Sequence, residues 1–224
     1  MAGIVQIKQD SLTKKQNKSD IWLNDILDEY LKGTMSPPRA GVFHPSTLSN
    51  RCDRAVWLVY HGKMVASPLE AVTQRIFQNG DYLERRVEKW FSNLGILMGR
   101  EIPVKFEFPS MSGRIDFLIR HEKYGIHPIE LKSINTSGFS KLTKPKPEHE
   151  MQLQMYLNMG KYEQGTVLYE NKNDQKIKSF IIEKNAKQWD SILDRCFAIQ
   201  NMTSLPEKCT GERWCPCKKV ENAS

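Results

Sequence analysis

Long apolar runs are missing from this 224-residue chain: no stretch approaches the roughly 18 apolar residues that a bilayer-spanning helix needs, so no membrane is expected as a partner. Met1 to Lys18 is polar and rich in Lys and Gln, without the apolar segment and small-residue cleavage site of a secretory signal. The expected location is therefore cytoplasmic. Acidic residues are in deficit, 26 Asp plus Glu against 33 Lys plus Arg, which gives a formal net charge of +7 and suits a polyanionic partner. Paired cysteines are lacking too. An odd count of five, Cys52, Cys196, Cys209, Cys215 and Cys217, in a reducing compartment argues against a disulfide framework and for metal binding. The five histidines show no short metal-ligand spacing, and the chain has no internal repeat.

What is present reads as one elaborated domain. The expected organisation is a flexible arm over 1–18, a domain over 19–206 that includes the N-terminal helices, and a cysteine-rich tail over 207–224. Ser19 can cap a first helix with Ile21, Trp22, Ile26, Leu27, Tyr30 and Leu31 at helical spacing, ended by Gly33. Met35 to Val42 reads as a loop, and Pro45 opens a second helix through Tyr60 on which Cys52 rides. Leu69 to Leu94 predicts a third helix, buried along Ile76, Leu83, Val87, Trp90 and Phe91.

Beyond Gly99 the period changes to two. Ile102, Val104, Phe106 and Phe108 share one strand face, Ile115, Phe117 and Ile119 share another, and a third strand covers Ile126 to Ser133. A polar loop over Asn135 to Pro147 leads into a helix from Glu148 to Lys161. Two further strands, Gly165 to Glu170 and Lys176 to Ile182, flank a turn-rich segment; a last helix runs over Lys184 to Met202, and Pro206 stops it.

The chemistry concentrates in Gly113-Arg114-Ile115-Asp116 and Ile129-Glu130-Leu131-Lys132. On a strand, Glu130 and Lys132 project to one face while Ile129 and Leu131 face the core. If the preceding strand pairs antiparallel, Asp116 converges on the same spot. Like carboxylates that close repel and tend to hold a proton unless a hard divalent cation joins them. Mg²⁺ or Mn²⁺ could take oxygens from Asp116, Glu130 and the backbone carbonyl of Leu131, with Lys132 orienting a nucleophile or stabilising charge on phosphorus.

With these residues in place the chain resembles the RecB-like branch of the P-D-(D/E)-x-K nuclease superfamily, and three further segments respond to that resemblance. Gln152-Leu153-Gln154-Met155-Tyr156 is similar to the branch's Q-x-x-x-Y motif, which implies that Gln152 and Tyr156 contact substrate and active-site groups. Gly80 followed by Glu84 matches a Gly and a metal-binding residue, usually His, and so implies Glu84 as a metal ligand. Ser46 to Arg54 resembles the first-cysteine segment of the iron-sulfur exonucleases of this branch, among them CRISPR-associated and phage exonucleases. That implies a 4Fe-4S cluster on Cys52, Cys209, Cys215 and Cys217, with Zn²⁺ as the alternative because the tail spacing departs from the usual pattern. Cys196 reads as a buried small hydrophobe.

The expected fold is thus α/β, a restriction-endonuclease-like core with a mixed central sheet flanked by helices and the termini joined by a cysteine-ligated metal cluster. The implied activity is a metal-dependent DNA exonuclease in recombination, repair or phage DNA processing. Its partners would be DNA, as single strands or duplex ends, and either a second copy of the chain or a recombination or helicase protein. The alternative is a non-catalytic nucleic-acid-binding or adaptor protein that retains the fold. Outside the motif, Lys141, Lys144 and Lys146 form a basic loop suited to phosphates, and His149 is the one histidine close to the motif helix. Arg51, Arg54, Arg85 and Arg86, with Trp57 or Tyr82 for base stacking, could line a strand channel.

Overall fold

A computed structural model describes residues 22–49, 52–64, 66–210, 215 and 217. The arm over 1–18, the Ser19 cap, Ile21, Arg51 and most of the tail lie outside the described residues. The chain runs α1 (Trp22–Leu31), β1 (Gly33–Met35), α2 (Pro45–Leu48), α3 (Asp53–Tyr60), β2 (Ser67–Leu69) and α4 (Ala71–Asn93). It continues with β3 (Leu97–Phe106), β4 (Met111–His121), β5 (Gly125–Ile134), α5 (Thr136–Ser140), α6 (Pro147–Met159), β6 (Gln164–Asn171), β7 (Ile177–Glu183) and α7 (Ala186–Asn201). No helix among the described residues is long and apolar enough to cross a membrane.

The expected α/β class is the one found: β3-β4-β5-β6-β7 form a five-stranded sheet flanked by helices. Its pairings are antiparallel except β5 with β6, which run parallel because α5 and α6 carry the chain back across one face. Alternation along β5 divides the core. Ile129 and Leu131 join Phe117 and Ile119 against Leu83 and Val87 of α4, while Ile134 packs with Leu153, Leu157, Val167 and Tyr169 on the α6 side. Glu130 and Lys132 therefore lie between sheet and helix, with both faces of β5 covered.

Several expectations need correction. A short two-stranded ladder, β1 with β2, pairs Gly33 to Met35 with Ser67 to Leu69; three-residue strands carry too little periodicity to be read. The helix expected from Pro45 to Tyr60 is two helices, and Cys52 sits extended at the N-cap of α3 instead of riding on a helix. The loop expected over 135–147 contains α5, with the Asn135 side chain accepting from the Gly138 N–H and with Phe139 and Leu142 buried. On α4, Ile76 and Trp90 are exposed because only part of the helix reaches the sheet. Phe108 falls in the turn after β3 and is exposed.

Candidate active site

The pairing ladder of β4 with β5 runs from His121 opposite Gly125 up to Phe117 opposite Ile129 and stops there. The next residues along each strand are Asp116 and Glu130. Where the ladder ends, the Leu131 N–H donates to Asp116 Oδ2 at 2.7 Å, so a side chain replaces a backbone partner and the Asp116 carboxylate is tied to β5. Regular alternation also fails at this point. Ile115 packs in the cluster with Met155 and Tyr156, whereas Phe117, two residues on, packs with Leu83 and Val87. Opposite, on β3, Glu101 holds φ 51°, a left-handed conformation that non-glycine residues adopt at a cost.

Glu130 is 0% exposed and Lys132 is its ion partner. Neither Glu130 oxygen accepts a well-formed hydrogen bond from any described residue. Such a carboxylate is expensive to keep ionised. Burial pushes the Asp116 carboxyl well above the usual range and the Glu130 charge adds to the rise; the Leu131 N–H and Lys132 only partly offset it. Glu130 is likewise raised, by burial against the pull of Lys132. For Lys132 burial acts downward, but the Glu130, Asp116 and Glu84 charges outweigh it and hold the ammonium protonated. The three motif residues thus form one electrostatically coupled group.

Gln152 and Tyr156, one helical turn apart on α6, are both buried against this group. Gln152 Nε2 donates to Tyr156 Oη at 3.1 Å, and the Arg114 N–H also reaches that oxygen. Burial, then the Glu130 charge, holds the Tyr156 hydroxyl in its neutral form. Gly113 makes the approach possible: a Cβ there would lie 2.8 Å from the Tyr156 ring and 2.9 Å from Pro45. Glu84, on α4, acts electrostatically on Asp116, Glu130 and Lys132. It is not free, since Arg100 bridges it at 3.2 Å and Glu88 at 3.1 Å. Sequence reasoning missed Arg100; a lone arginine on a strand carries no spacing that points to α4.

Of the other residues named from the sequence, Trp57 is buried, stacked on His61 and bonded to the Met202 carbonyl, so it offers no platform for a base. Arg54 is buried and donates to the Pro206 carbonyl at 2.6 Å, which removes it from any strand channel. Arg86 pairs with Glu170 and lies over Trp90. Tyr82, Arg85, Lys141 and Lys144 are exposed. His149, on the first turn of α6, bonds Tyr169 Oη through Nδ1 at 2.7 Å.

A second centre lies apart from the sheet. Cys52, Cys209, Cys215 and Cys217 bring their sulfurs within 4.8 Å of one another, and Cys209 and Cys217 are 3.4 Å apart. Burial pushes the Cys52 and Cys215 thiols up. Burial opposes ionisation of Cys217 as well, but hydrogen bonds from the Cys209 backbone and the neighbouring thiols outweigh it and pull that thiol down to about 7. Four converging thiols of this kind are a fit for a soft or borderline metal. Cys196 is fully buried in the main core, as expected of a small hydrophobe.

The hard-oxygen centre passes its own test. A buried Glu130 with only the Lys132 ammonium as partner, beside a half-buried Asp116, both with raised proton affinity, is what a divalent cation would satisfy.

No family model matches this sequence, and no curated protein does. Solved structures do match in fold. One is the protein SSO0001, with 18% identity, TM-score 0.52, and 83% of this chain and 86% of that chain covered. Another is an alkaline exonuclease, LHK-Exo, from Laribacter hongkongensis, with 17% identity and TM-score 0.52 over 71% of this chain and 86% of that chain. The same exonuclease in complex with dAMP aligns at TM-score 0.51 and 18% identity, with the same coverage. This chain therefore shares the fold of a solved exonuclease, with a four-cysteine group joining Cys52 to its C-terminal segment.

Proposed function

We propose that the protein is a metal-dependent deoxyribonuclease of the P-D-(D/E)-x-K type, acting as an exonuclease on DNA strands or duplex ends. The observation that carries this reading is the junction where the β4-β5 ladder stops, with Asp116 and Glu130 side by side in sequence register and Lys132 on Glu130. Asp116, Glu130 and the Leu131 carbonyl would hold Mg²⁺ or Mn²⁺, and Glu84 would complete the set once Arg100 yields one of its oxygens. When bound, the ion supplies a water of lowered pKa and neutralises the scissile phosphate.

The residues of the chain do the rest. Asp116 is held by the Leu131 N–H, so its free oxygen keeps a fixed direction. Lys132, kept protonated by its acidic neighbours, orients the attacking oxygen and offsets charge developing on phosphorus. Gln152 and the neutral Tyr156, hydrogen-bonded to one another on α6, would present donors to the phosphate beside the carboxylates. Lys141, Lys144 and Tyr82, all exposed, offer phosphate contact and base stacking for the strand beyond the scissile bond. Cys52, Cys209, Cys215 and Cys217 would hold a metal centre through four thiolates. The family resemblance supports a 4Fe-4S cluster, while sulfurs within 4.8 Å suit a single Zn²⁺, whose thiolates lie about 3.8 Å apart at a Zn–S length of ≈ 2.3 Å.

End-labelled single- and double-stranded DNA incubated with Mg²⁺, Mn²⁺ or EDTA tests the reading. Stepwise loss of label that requires the cation and disappears in Lys132→Ala supports it; binding without cleavage supports an adaptor instead. Iron and sulfide content with visible absorption, against stoichiometric zinc in a colourless protein, decides the second centre.

A further inference from the structure

His149, on the first turn of α6, packs against Tyr169 next to the carboxylate group without belonging to the motif. Its ring stands between α6 and β6, where Tyr169 is the cross-strand partner of Lys132. The Lys146 N–H donates to Tyr169 Oη at 3.0 Å, and a main-chain N–H can only donate. Tyr169 is 0% exposed, so its own hydroxyl proton needs an acceptor inside the protein. His149 Nδ1, at 2.7 Å, is that acceptor. Were Nδ1 protonated, the phenol oxygen would accept two bonds and its buried proton would have no partner. The neutral imidazole must then carry its hydrogen on Nε2.

Nε2 has no hydrogen-bond partner among the described residues and is not among the buried orphan atoms, so it stays open. The surroundings carry charge of both signs. Lys132 from β5 and Lys146 at the N-cap of α6 act on the ring, and Glu148, Glu130 and Glu150 act on Tyr169. Burial first, then the two lysines, hold the imidazole neutral, with its pKa lowered to about 3.

We infer that His149 is a substrate-binding residue, its Nε2–H a fixed, uncharged donor to a non-bridging oxygen of a phosphodiester lying beside Lys132. The inference rests on the nuclease reading for its ligand, but its geometry does not. A neutral donor adds specificity for an oxyanion without adding to the charge that Asp116 and Glu130 already balance. Because the ring does not titrate near neutrality, the contact persists across the working pH range.

Two measurements test it. Long-range ¹H-¹⁵N spectra of the full chain are expected to show His149 protonated on Nε2 and bare on Nδ1, with that preference lost in Tyr169→Phe; a wild-type ring protonated on Nδ1 overturns the inference. Binding of a short DNA oligonucleotide is then measured with Ca²⁺ in place of Mg²⁺. His149→Ala is expected to weaken binding roughly tenfold, as for one hydrogen bond to a charged oxygen, and His149→Gln, whose amide offers a comparable donor, to recover most of it. Unchanged affinity in His149→Ala, or equal loss in the Gln variant, overturns it. If the wild type cleaves with Mg²⁺ or Mn²⁺ while His149→Ala binds as tightly, only this inference fails. If His149-dependent binding occurs without any cleavage, the nuclease reading fails and the phosphate contact stands.

Discussion

The carboxylate centre and the thiolate centre solve opposite problems. Asp116, Glu130 and Lys132 come from neighbouring strands of one sheet, so the backbone ladder holds them together whether or not a cation is bound. Cys52 and the three cysteines of residues 209–217 are separated by most of the chain; α3 is tied to Met202 and Pro206 by Trp57 and Arg54, but beyond Pro206 the sulfurs meet in a small cluster of their own with Ala55. The first centre is costly to keep ionised, yet the strands assemble it. The second would gain order from a metal on its four sulfurs. Loss of metal should therefore cost activity at one and structure at the other.

The thiolates should be the more sensitive of the two centres to metal loss. Cys215→Ser, or stripping of the bound metal, is expected to lower Tm well beyond ten degrees and to leave α3 and the C-terminal segment open to proteolysis, because several kcal/mol of metal-linked folding energy is lost. A Tm unchanged after complete metal removal would show that the centre is ornamental to the fold. Lys132→Ala is the counterpart at the carboxylates. Cleavage should fall on the order of a hundred- to a thousand-fold, about 3 to 4 kcal/mol of transition-state stabilisation, while Tm in EDTA falls less than in the thiolate variant, because the buried Glu130 left without its partner takes up a proton instead of staying charged.

How far each centre was legible in the sequence follows the same division. Glu130-x-Lys132 could be read because strand periodicity assigns faces and the alternation through Ile129 and Leu131 holds, whereas Ile115 and Phe117, expected on one face, pack in different clusters on either side of Asp116. The four cysteines were legible by residue type and by resemblance, but the extended conformation at Cys52 was not, since an unbroken apolar pattern from Pro45 to Tyr60 hides the interruption. Trp57 and Arg54 were misplaced on a surface for that reason: once the helix breaks, α3 turns both inward against Met202 and Pro206. The Arg100 clasp on Glu84 and the Tyr169 bond to His149 are tertiary pairings of isolated residues, with no local signal to announce them.

Overpacking gives a mid-sized effect. Gly113→Ala places a methyl 2.8 Å from the Tyr156 ring and 2.9 Å from Pro45, both in the packed interior, so a loss of about 1 to 3 kcal/mol in chemical denaturation is expected. Cleavage should fall as well, because Tyr156 is displaced from Glu130. A variant as active and stable as the wild type would show that α6 does not depend on this close approach.

The smallest effect, and the one with opposite sign, belongs to Asp116. Its carboxyl is raised in the folded chain by burial and by the Glu130 charge, so the metal-free fold prefers it protonated. The stability this preference carries is complete below the ordinary carboxylate range, near pH 4, and is lost as pH rises through the raised value. In EDTA the wild type should therefore lose Tm between mildly acidic and mildly alkaline pH. Asp116→Asn, which never ionises, should flatten that slope and melt at a higher temperature than the wild type at the alkaline end, while losing cleavage. Adding Mn²⁺ reverses the order, since the cation stabilises the two-carboxylate site and has far less to bind in the variant. Wild-type stability that rises with pH in EDTA would mean that the Asp116 charge is already satisfied without a cation, and the electrostatic reason for placing a metal at the end of the β4-β5 ladder would go with it.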